Sequence, residues 1–358
     1  MYTLRSPLFR GAVSIAILAA LLQVGARHTG PAPPLGPLLD PANGVWAVAT
    51  VVEFRAEETL ALPGMLDSVH VLFDDRSVPH IFASNSEDAA RALGYVVARD
   101  RLFQMEMRWR TAAGRISELV GDRALSFDRY LRRLALAWSA NRTFDKLDRE
   151  SQVFREAIAY SEGVNAWIDG MRRRDIPLEY RLLGARPSRW EPVYSFYLAK
   201  LLGWDLSYGF ASDLRRLRAR ARVGREATDA LFPINNPIQQ PIQPNGSTGL
   251  RFDFAPIPPP GEPDLAAARL ERELDPPLAF EPLLDLEGRL GREALGSNNW
   301  AVSPGRSAGG HALLAGDPHL GLNLPSIWYE VHISVAGDFD VYGVTIPSVP
   351  FVVIGFNR

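Results

Sequence analysis

Apolar and polar positions alternate through Val69, Val71 and Phe73, break at Asp74-Asp75-Arg76-Ser77, and resume from Val78 to Phe82. Period-two alternation on both sides of a polar break predicts a β-hairpin over Ser68 to Ala83. Ser84 and Glu87 then have the spacing of a capping box. Beyond them the period becomes helical. Ala90, Leu93, Val97, Leu102 and Met105 fall roughly on one side of a segment from about Glu87 to Arg110. Gly114 and Gly121 punctuate the chain after it. Further helices are expected near Phe127–Trp138, Gln152–Met171 and Val193–Trp204, so this region is mostly α.

From about Phe232 to Pro282 the periodicity is lost. Pro233, Pro237, Pro241, Pro244, Pro256 and Pro258 to Pro260 interrupt it, and one short helix, Asp264 to Glu273, is expected inside an exposed spacer. After Ser297 the pattern turns to β. Short apolar runs at Asn299–Val302, His311–Ala315, Ile327–Val335, Asp340–Val344 and Phe351–Ile354 are separated by Gly and Pro. There is no internal repeat and no glycine-rich phosphate loop.

The length of 358 residues suits roughly two domains. A net charge of −2 supplies no field for nucleic acid. The one basic run, Arg215 to Arg222, has Leu214, Leu217 and Ala221 at helical spacing. It reads as the solvated face of an amphipathic helix rather than a nucleic-acid patch. The absence of cysteine removes disulfides, thiolate nucleophiles and Cys metal sites.

The N-terminus argues for export. Arg5 and Arg10 flank an apolar run from Gly11 to Val24, short for a membrane span, and Val24-Gly25-Ala26 resembles a small-residue cleavage site. Residues 1–26 are therefore expected to be a signal peptide, with an uncleaved anchor as the alternative, and residues 27–61 a linker. The expected location is periplasmic or secreted, with membrane contact only through that N-terminal segment.

The nucleophile templates give little. No Gly-x-Ser-x-Gly elbow surrounds Ser297, no HExxH is present, and the six histidines show no metal-ligand spacing. The stretch Glu293 to Pro304, "EALGSNNWAVSP", offers another route. If the chain is cut between Gly296 and Ser297, the new α-amine, with an ordinary pKa near ~8, is partly neutral at neutral pH. It can take the proton of its own hydroxyl, so nucleophile and base are one residue. The same hydroxyl can first attack the Gly296 carbonyl, where no Cβ crowds the approach.

These residues resemble a known family. Gly296 to Ile333, "GSNNWAVSPGRSAGGHALLAGDPHLGLNLPSIWYEVHI", is similar to the β-chain start of the penicillin acylase (penicillin amidase) family, N-terminal nucleophile hydrolases of αββα fold that mature by self-cleavage. Val69 to Gly121, "SEGVNAWIDG" from Ser161, and "RWEP" from Arg189 match α-chain motifs in the same order. The resemblance spans about Leu62 to Arg358. It implies an α+β fold with an α-chain region at 62–231, a spacer at 232–296 and the start of a β chain at 297–358.

The resemblance also implies roles. Ser297 matches the nucleophile, Gly296-Ser297 the cleavage site, and Asn298 the residue beside the nucleophile. His319, in "DPHL", falls where the family has a His or Gln whose backbone helps hold the acyl carbonyl. Ile354 matches a residue lining the acyl pocket, and Trp204 to Ser207 the α-chain segment that lids it; plain core packing is the alternative for both. Asp213 falls where relatives have a Glu that binds calcium, a hard cation suited to carboxylate; an ion pair with Arg216 or Arg218 is the alternative. Calcium would be structural, and no cofactor is required for the chemistry.

The family's β chain runs well past Arg358. The residues that complete its oxyanion hole and most calcium ligands lie further on, and losing one oxyanion donor typically costs ~10²–10³-fold in rate. The sequence therefore reads as the N-terminal part of a precursor, with this part alone expected to be inactive. The expected function is amide hydrolysis of a small-molecule N-acyl amide by Ser297, in a pocket between the α and β chains of one precursor. The other reading is an exported homologue that binds apolar acyl compounds without turnover.

Overall fold

The expected hairpin forms because its polar break closes on itself. Strands β1 (His70–Phe73) and β2 (Pro79–Ala83) pair antiparallel, with His70 opposite Phe82 and Leu72 opposite His80. Asp74 Oδ1 accepts the N–H groups of Arg76 (2.9 Å) and Val78 (2.8 Å), and Ser77 takes the left-handed φ of 63° that lets the chain turn back.

These features belong to a computed structural model that describes residues 7–26, 35–40, 44–46, 58–207, 209–233, 261–274, 297–320 and 322–357. Most of the spacer, Gly296 included, lies outside the described residues. The chain divides into two units, Met1–Trp204 with Asn323–Arg358, and Asp205–Leu322.

In the first unit, helix α1 spans Pro7–Gly25 and a short α2 spans Leu35–Leu39. Among the described residues no helix is long and apolar enough to cross a membrane. The central helix α3 runs from Ser86 to Ala113. Its cap is Asn85, one residue later than the expected Ser84: the Asn85 side chain accepts the Asp88 N–H at 2.8 Å. Asp88 is then free to turn its carboxylate inward. Fully buried, it accepts from Leu66 N (3.0 Å), Asp67 N (2.8 Å), Asn85 Nδ2 (2.8 Å) and Arg91 Nη1 (2.7 Å). Gly114 ends α3 in the left-handed conformation.

After α3 come a single turn, α4 (Ser117–Val120), and then α5 (Leu125–Leu134) and α6 (Leu136–Asp145). The single helix expected at Phe127–Trp138 is two, because Ala135 sits at φ 57° and turns the chain. Helix α7 (Gln152–Gly170) is capped by Ser151, whose Oγ accepts the Phe154 N–H at 3.3 Å. It packs on α3 at backbone contact. A Cβ added to Gly94 would collide with the Tyr160 carbonyl oxygen, and one added to Gly163 with that of Arg91. Helices α8 (Leu178–Leu183) and α9 (Tyr194–Asp205) come next. Buried Glu106 ties this layer together, accepting from Arg110 Nε (2.9 Å), Ser188 N (3.2 Å), Ser188 Oγ (2.8 Å) and the Tyr180 hydroxyl.

The sheet of this unit takes its remaining strands from the far end of the chain. Strands β5 (Tyr329–Val335), β6 (Phe339–Thr345) and β7 (Ile354–Asn357) complete the order β1-β2-β5-β6-β7. All neighbours are antiparallel except β2 and β5, which run parallel with His80 opposite His332 and Ile81 opposite Ile333. Ile81, Val331, Ile333 and Val335 alternate onto the helix side and join Ala89, Leu93 and Val97 of α3 in one core. The last strand starts at Ile354 rather than Phe351, because the stretch from Pro347 to Pro350, with Ser348 at φ 102°, is still turning.

The second unit holds α10 (Gly209–Leu231), α11 (Leu265–Leu274) and the hairpin of β3 (Ser297–Val302) with β4 (Leu313–Pro318). The basic run lies on α10 with Leu214 and Ala221 buried, as its spacing predicts. Its arginines are not simply solvated: Arg216 pairs with Asp229 and Arg220 with Asp264, both at 2.6 Å. Gly224, at φ 75°, kinks α10 where the Glu262 carbonyl comes close. Asp264 caps α11, taking the N–H groups of Ala266 (3.1 Å) and Ala267 (3.0 Å). In the hairpin, β4 begins two residues later than expected, because the turn through Gly310 at φ 68° carries His311 with it.

Candidate functional site

Ser297 is the first residue of β3 and stands opposite Pro318 at the open end of the β3–β4 ladder. Asn298 stands opposite Asp317. Successive residues of a strand point to opposite faces. Ser297 therefore shares a face with Pro318, and Asn298 with Asp317. His319 comes directly after β4, and its Nε2 lies 2.7 Å from Asp317 Oδ2. The imidazole is thereby held on the Asn298–Asp317 side, away from the serine hydroxyl's face. Ser297, Asn298 and Asp317 are exposed, and His319 is half-buried.

The three residues expected at the acyl end, Ser297, Asn298 and His319, are thus brought to one end of one hairpin, although 22 positions of chain separate the first from the last. The ten-residue connection from Ser303 to Ala312, with a 3-10 turn at Pro304–Arg306 and Gly310 at φ 68°, returns β4 to β3 in the register that does this. Asp317 is the member that sequence reading did not single out. Its place in "GDPHL", two residues before His319, was the available signal, since i and i+2 share a face in extended chain.

The other expected residues stand elsewhere. Trp204, near the end of α9, is half-buried and packs on the core of the first unit. Ile354 opens β7 of the same unit opposite Val344 and is 41% exposed. Ser207 is exposed in the chain between α9 and α10. Asp213 is exposed on α10, and Arg216, one of its two expected ion-pair partners, is engaged with Asp229. Among the described residues no group of three or more His, Cys, Asp or Glu side chains is placed to hold a metal ion.

Helices packed on a mixed sheet, with a serine opening a separate hairpin, make this an α+β protein in keeping with the N-terminal nucleophile hydrolase class. The chain belongs to the penicillin amidase family, whose model matches residues 68–358. It is 38% identical over 298 residues to the penicillin acylase 2 proenzyme of Pseudomonas sp. (strain SE83), covering 82% of this chain and 35% of that protein. It is 33% identical over 299 residues to the acyl-homoserine lactone acylase QuiP of Pseudomonas aeruginosa, covering 83% and 33%. A solved structure, a thermostable penicillin G acylase from Alcaligenes faecalis, aligns at 25% identity and a TM-score of 0.44, over 51% of this chain and 100% of that one. The chain spans about a third of the length of the curated relatives it matches.

Proposed function

We propose that this protein is an exported acylase that hydrolyses an N-acyl amide with Ser297 as an N-terminal nucleophile. The observation that carries the reading is the position of Ser297, which opens β3 immediately after the Pro-rich spacer, beside the Asp317–His319 pair. Membership of the penicillin amidase family supports the same reaction class.

Maturation starts with attack of the Ser297 hydroxyl oxygen on the Gly296 carbonyl carbon. The peptide nitrogen leaves as the Ser297 α-amine, and water hydrolyses the ester that results. In the mature site the α-amine takes the hydroxyl proton while Oγ bonds to the acyl carbonyl of the substrate. The amine of the substrate departs with that proton. Water, deprotonated by the same α-amine, then releases the acid and restores the serine. Backbone donors would hold the oxyanion. His319 suits a backbone role, because its ring is tied to Asp317 on the other face of the ladder. Trp204, Ser207 and Ile354 are assigned to the acyl pocket, and Asp213 to a structural calcium site. Penicillin-type amides and acyl-homoserine lactones are the candidate substrates, as the names of the relatives suggest.

N-terminal sequencing of the chains recovered after expression with the export signal tests this reading. A new terminus at Ser297, abolished in Ser297→Ala, is expected. A chain that stays intact between Gly296 and Ser297 would remove the nucleophile and the proposal with it.

A further inference from the structure

The face of the five-stranded sheet turned away from the helices carries two histidines side by side. His80 of β2 and His332 of β5 are direct cross-strand neighbours, 252 positions apart in sequence, with their Nδ1 atoms 3.1 Å from each other. Their other ring nitrogens both face carboxylates. His332 Nε2 lies 3.2 Å from Asp340 Oδ1, and His80 Nε2 lies 3.8 Å from Asp74 Oδ2. Where Nε2 donates to a carboxylate, as the Asp340 contact favours for His332, Nδ1 is left as a lone-pair donor to a cation. The His332 lone pair is turned toward His80 Nδ1 at 3.1 Å, where either a ring N–H of His80 or a cation held by both nitrogens can meet it.

The separation fits a metal. Nitrogens 2.0–2.1 Å from a tetrahedral zinc ion stand about 3.3 Å apart, so a shift of a few tenths of an ångström admits the ion. The charges around the pair favour a cation as well. Asp74 and Asp340 stand beside the two rings, and the one nearby guanidinium, Arg76, is engaged with Glu330 at 3.2 Å, the Tyr342 hydroxyl at 2.7 Å and Asp74 at 3.6 Å. Ser334 Oγ donates to the second oxygen of Asp340 at 3.2 Å, which steadies the carboxylate that orients His332. The imidazoles are packed but not sealed, with side-chain exposures of 26% for His80 and 14% for His332.

We propose that His80 and His332 form a two-histidine site for a borderline divalent transition-metal ion, zinc above all, through Nδ1 of each ring. Water completes the coordination shell, since among the described residues no third protein ligand is in place. Asp340 acts on His332 as its orienting partner, and Asp74 adds negative charge beside His80. The site belongs to the first unit and is independent of Ser297. Its ion spans the parallel seam between the strand that precedes the proposed cut and the strand beyond it.

The test is calorimetric titration of the purified chain with zinc chloride, beside His80→Ala, His332→Ala, Asp340→Asn and His311→Ala. One zinc per chain is expected. Each of the first two variants should weaken binding at least ~10-fold, Asp340→Asn by ~10-fold, in the range of lost orienting partners, and His311→Ala should leave it unchanged. A second measurement needs no variant. Zinc should protect His80 and His332 from diethylpyrocarbonate, read residue by residue by mass spectrometry, while His311 stays reactive. No zinc uptake, uptake unchanged in both alanine variants, or equal reactivity of the two rings with and without zinc overturns the proposal. In that event a shared proton alone occupies the pair.

Discussion

The backbone N–H of Ser348 donates to the hydroxyl of Tyr160 at 3.0 Å, across 188 positions of sequence and with both residues buried. Burial pushes the Tyr160 hydroxyl far above the ordinary tyrosine range, so it stays neutral at every working pH. The bond joins the middle of α7 to the turn between β6 and β7. It is one of several ties between the two ends of the chain. Tyr329 donates to Asp100 at 2.7 Å, Gln104 Nε2 to the Ser326 carbonyl at 2.9 Å, and β2 pairs with β5. Tyr160→Phe would leave the Ser348 N–H buried without its partner. A loss of about 1–3 kcal/mol is expected, read as a lower urea midpoint at unchanged slope.

The same ties should hold the protein together after a cut at Gly296–Ser297. The two pieces are expected to elute as one species from a sizing column under native conditions and to separate only in denaturant. Independent elution of a piece ending at Gly296 would show that the ladder between β2 and β5 does not hold them.

Gly94 and Gly163 let α3 and α7 touch backbone to backbone. Gly94→Ala would gain helix propensity of about 1 kcal/mol, yet the new Cβ meets a carbonyl oxygen that cannot rotate away. Overpacking of this kind typically costs about 1–3 kcal/mol, and rigid backbone on the far side places it at the upper end. A lower melting temperature is expected despite the better helix former. Gly170→Ala, where a Cβ meets nothing within 4 Å, is the control and should not lower it.

Asp88 supplies the buried carboxylate that Arg91, Asn85 and the backbone of Leu66 and Asp67 all address. Asp88→Ala would strand the Arg91 guanidinium, which is itself buried. Removing one partner of a buried pair typically costs about 3–5 kcal/mol. Glu162, which also binds Arg91 at 2.7 Å, should hold the loss to the lower part of that range. Chemical denaturation of the two proteins side by side checks it.

Asp264 is held below its usual value of 3.8, first by the Ala267 N–H and then by the Arg220 guanidinium. A folded-state value below the unfolded one means that its contribution is fully present above the unfolded value and is lost as pH falls through the folded one. Wild type and Asp264→Asn should therefore differ in the stability of the α10–α11 pair near neutral pH. The difference should shrink as pH drops below about 4, as helical circular dichroism over a pH series would show.

Much of this was legible in the sequence for local reasons. Alternation at Val69, Val71 and Phe73 found the first hairpin, and helical spacing found α3, α7 and α9 within a few residues. The misses also have physical causes. Alanine carries no break signal, so the bend at Ala135 is invisible; it is imposed by the packing of α5 and α6 rather than by a turn residue. Ser84 and Asn85 are equally good caps, and what selects Asn85 is the inward-turned Asp88, a tertiary fact. At the candidate site, the family motif pointed to Ser297, Asn298 and His319, which the β3–β4 hairpin brings to one end. Asp317 needed the strand register. The pairing of His80 with His332 needed the parallel ladder, which no local pattern announces.

That ladder also sets a schedule for synthesis. His80 emerges from the ribosome 252 residues before the strand that will lie beside it. At about 5–20 residues per second, the edge of β2 waits roughly 13–50 s for its neighbour. Throughout that interval it offers unpaired N–H and C=O groups to any other extended chain. A cell making this protein must keep that edge apart from its copies, as a holding chaperone would, until Tyr329 to Val335 arrive to close the sheet.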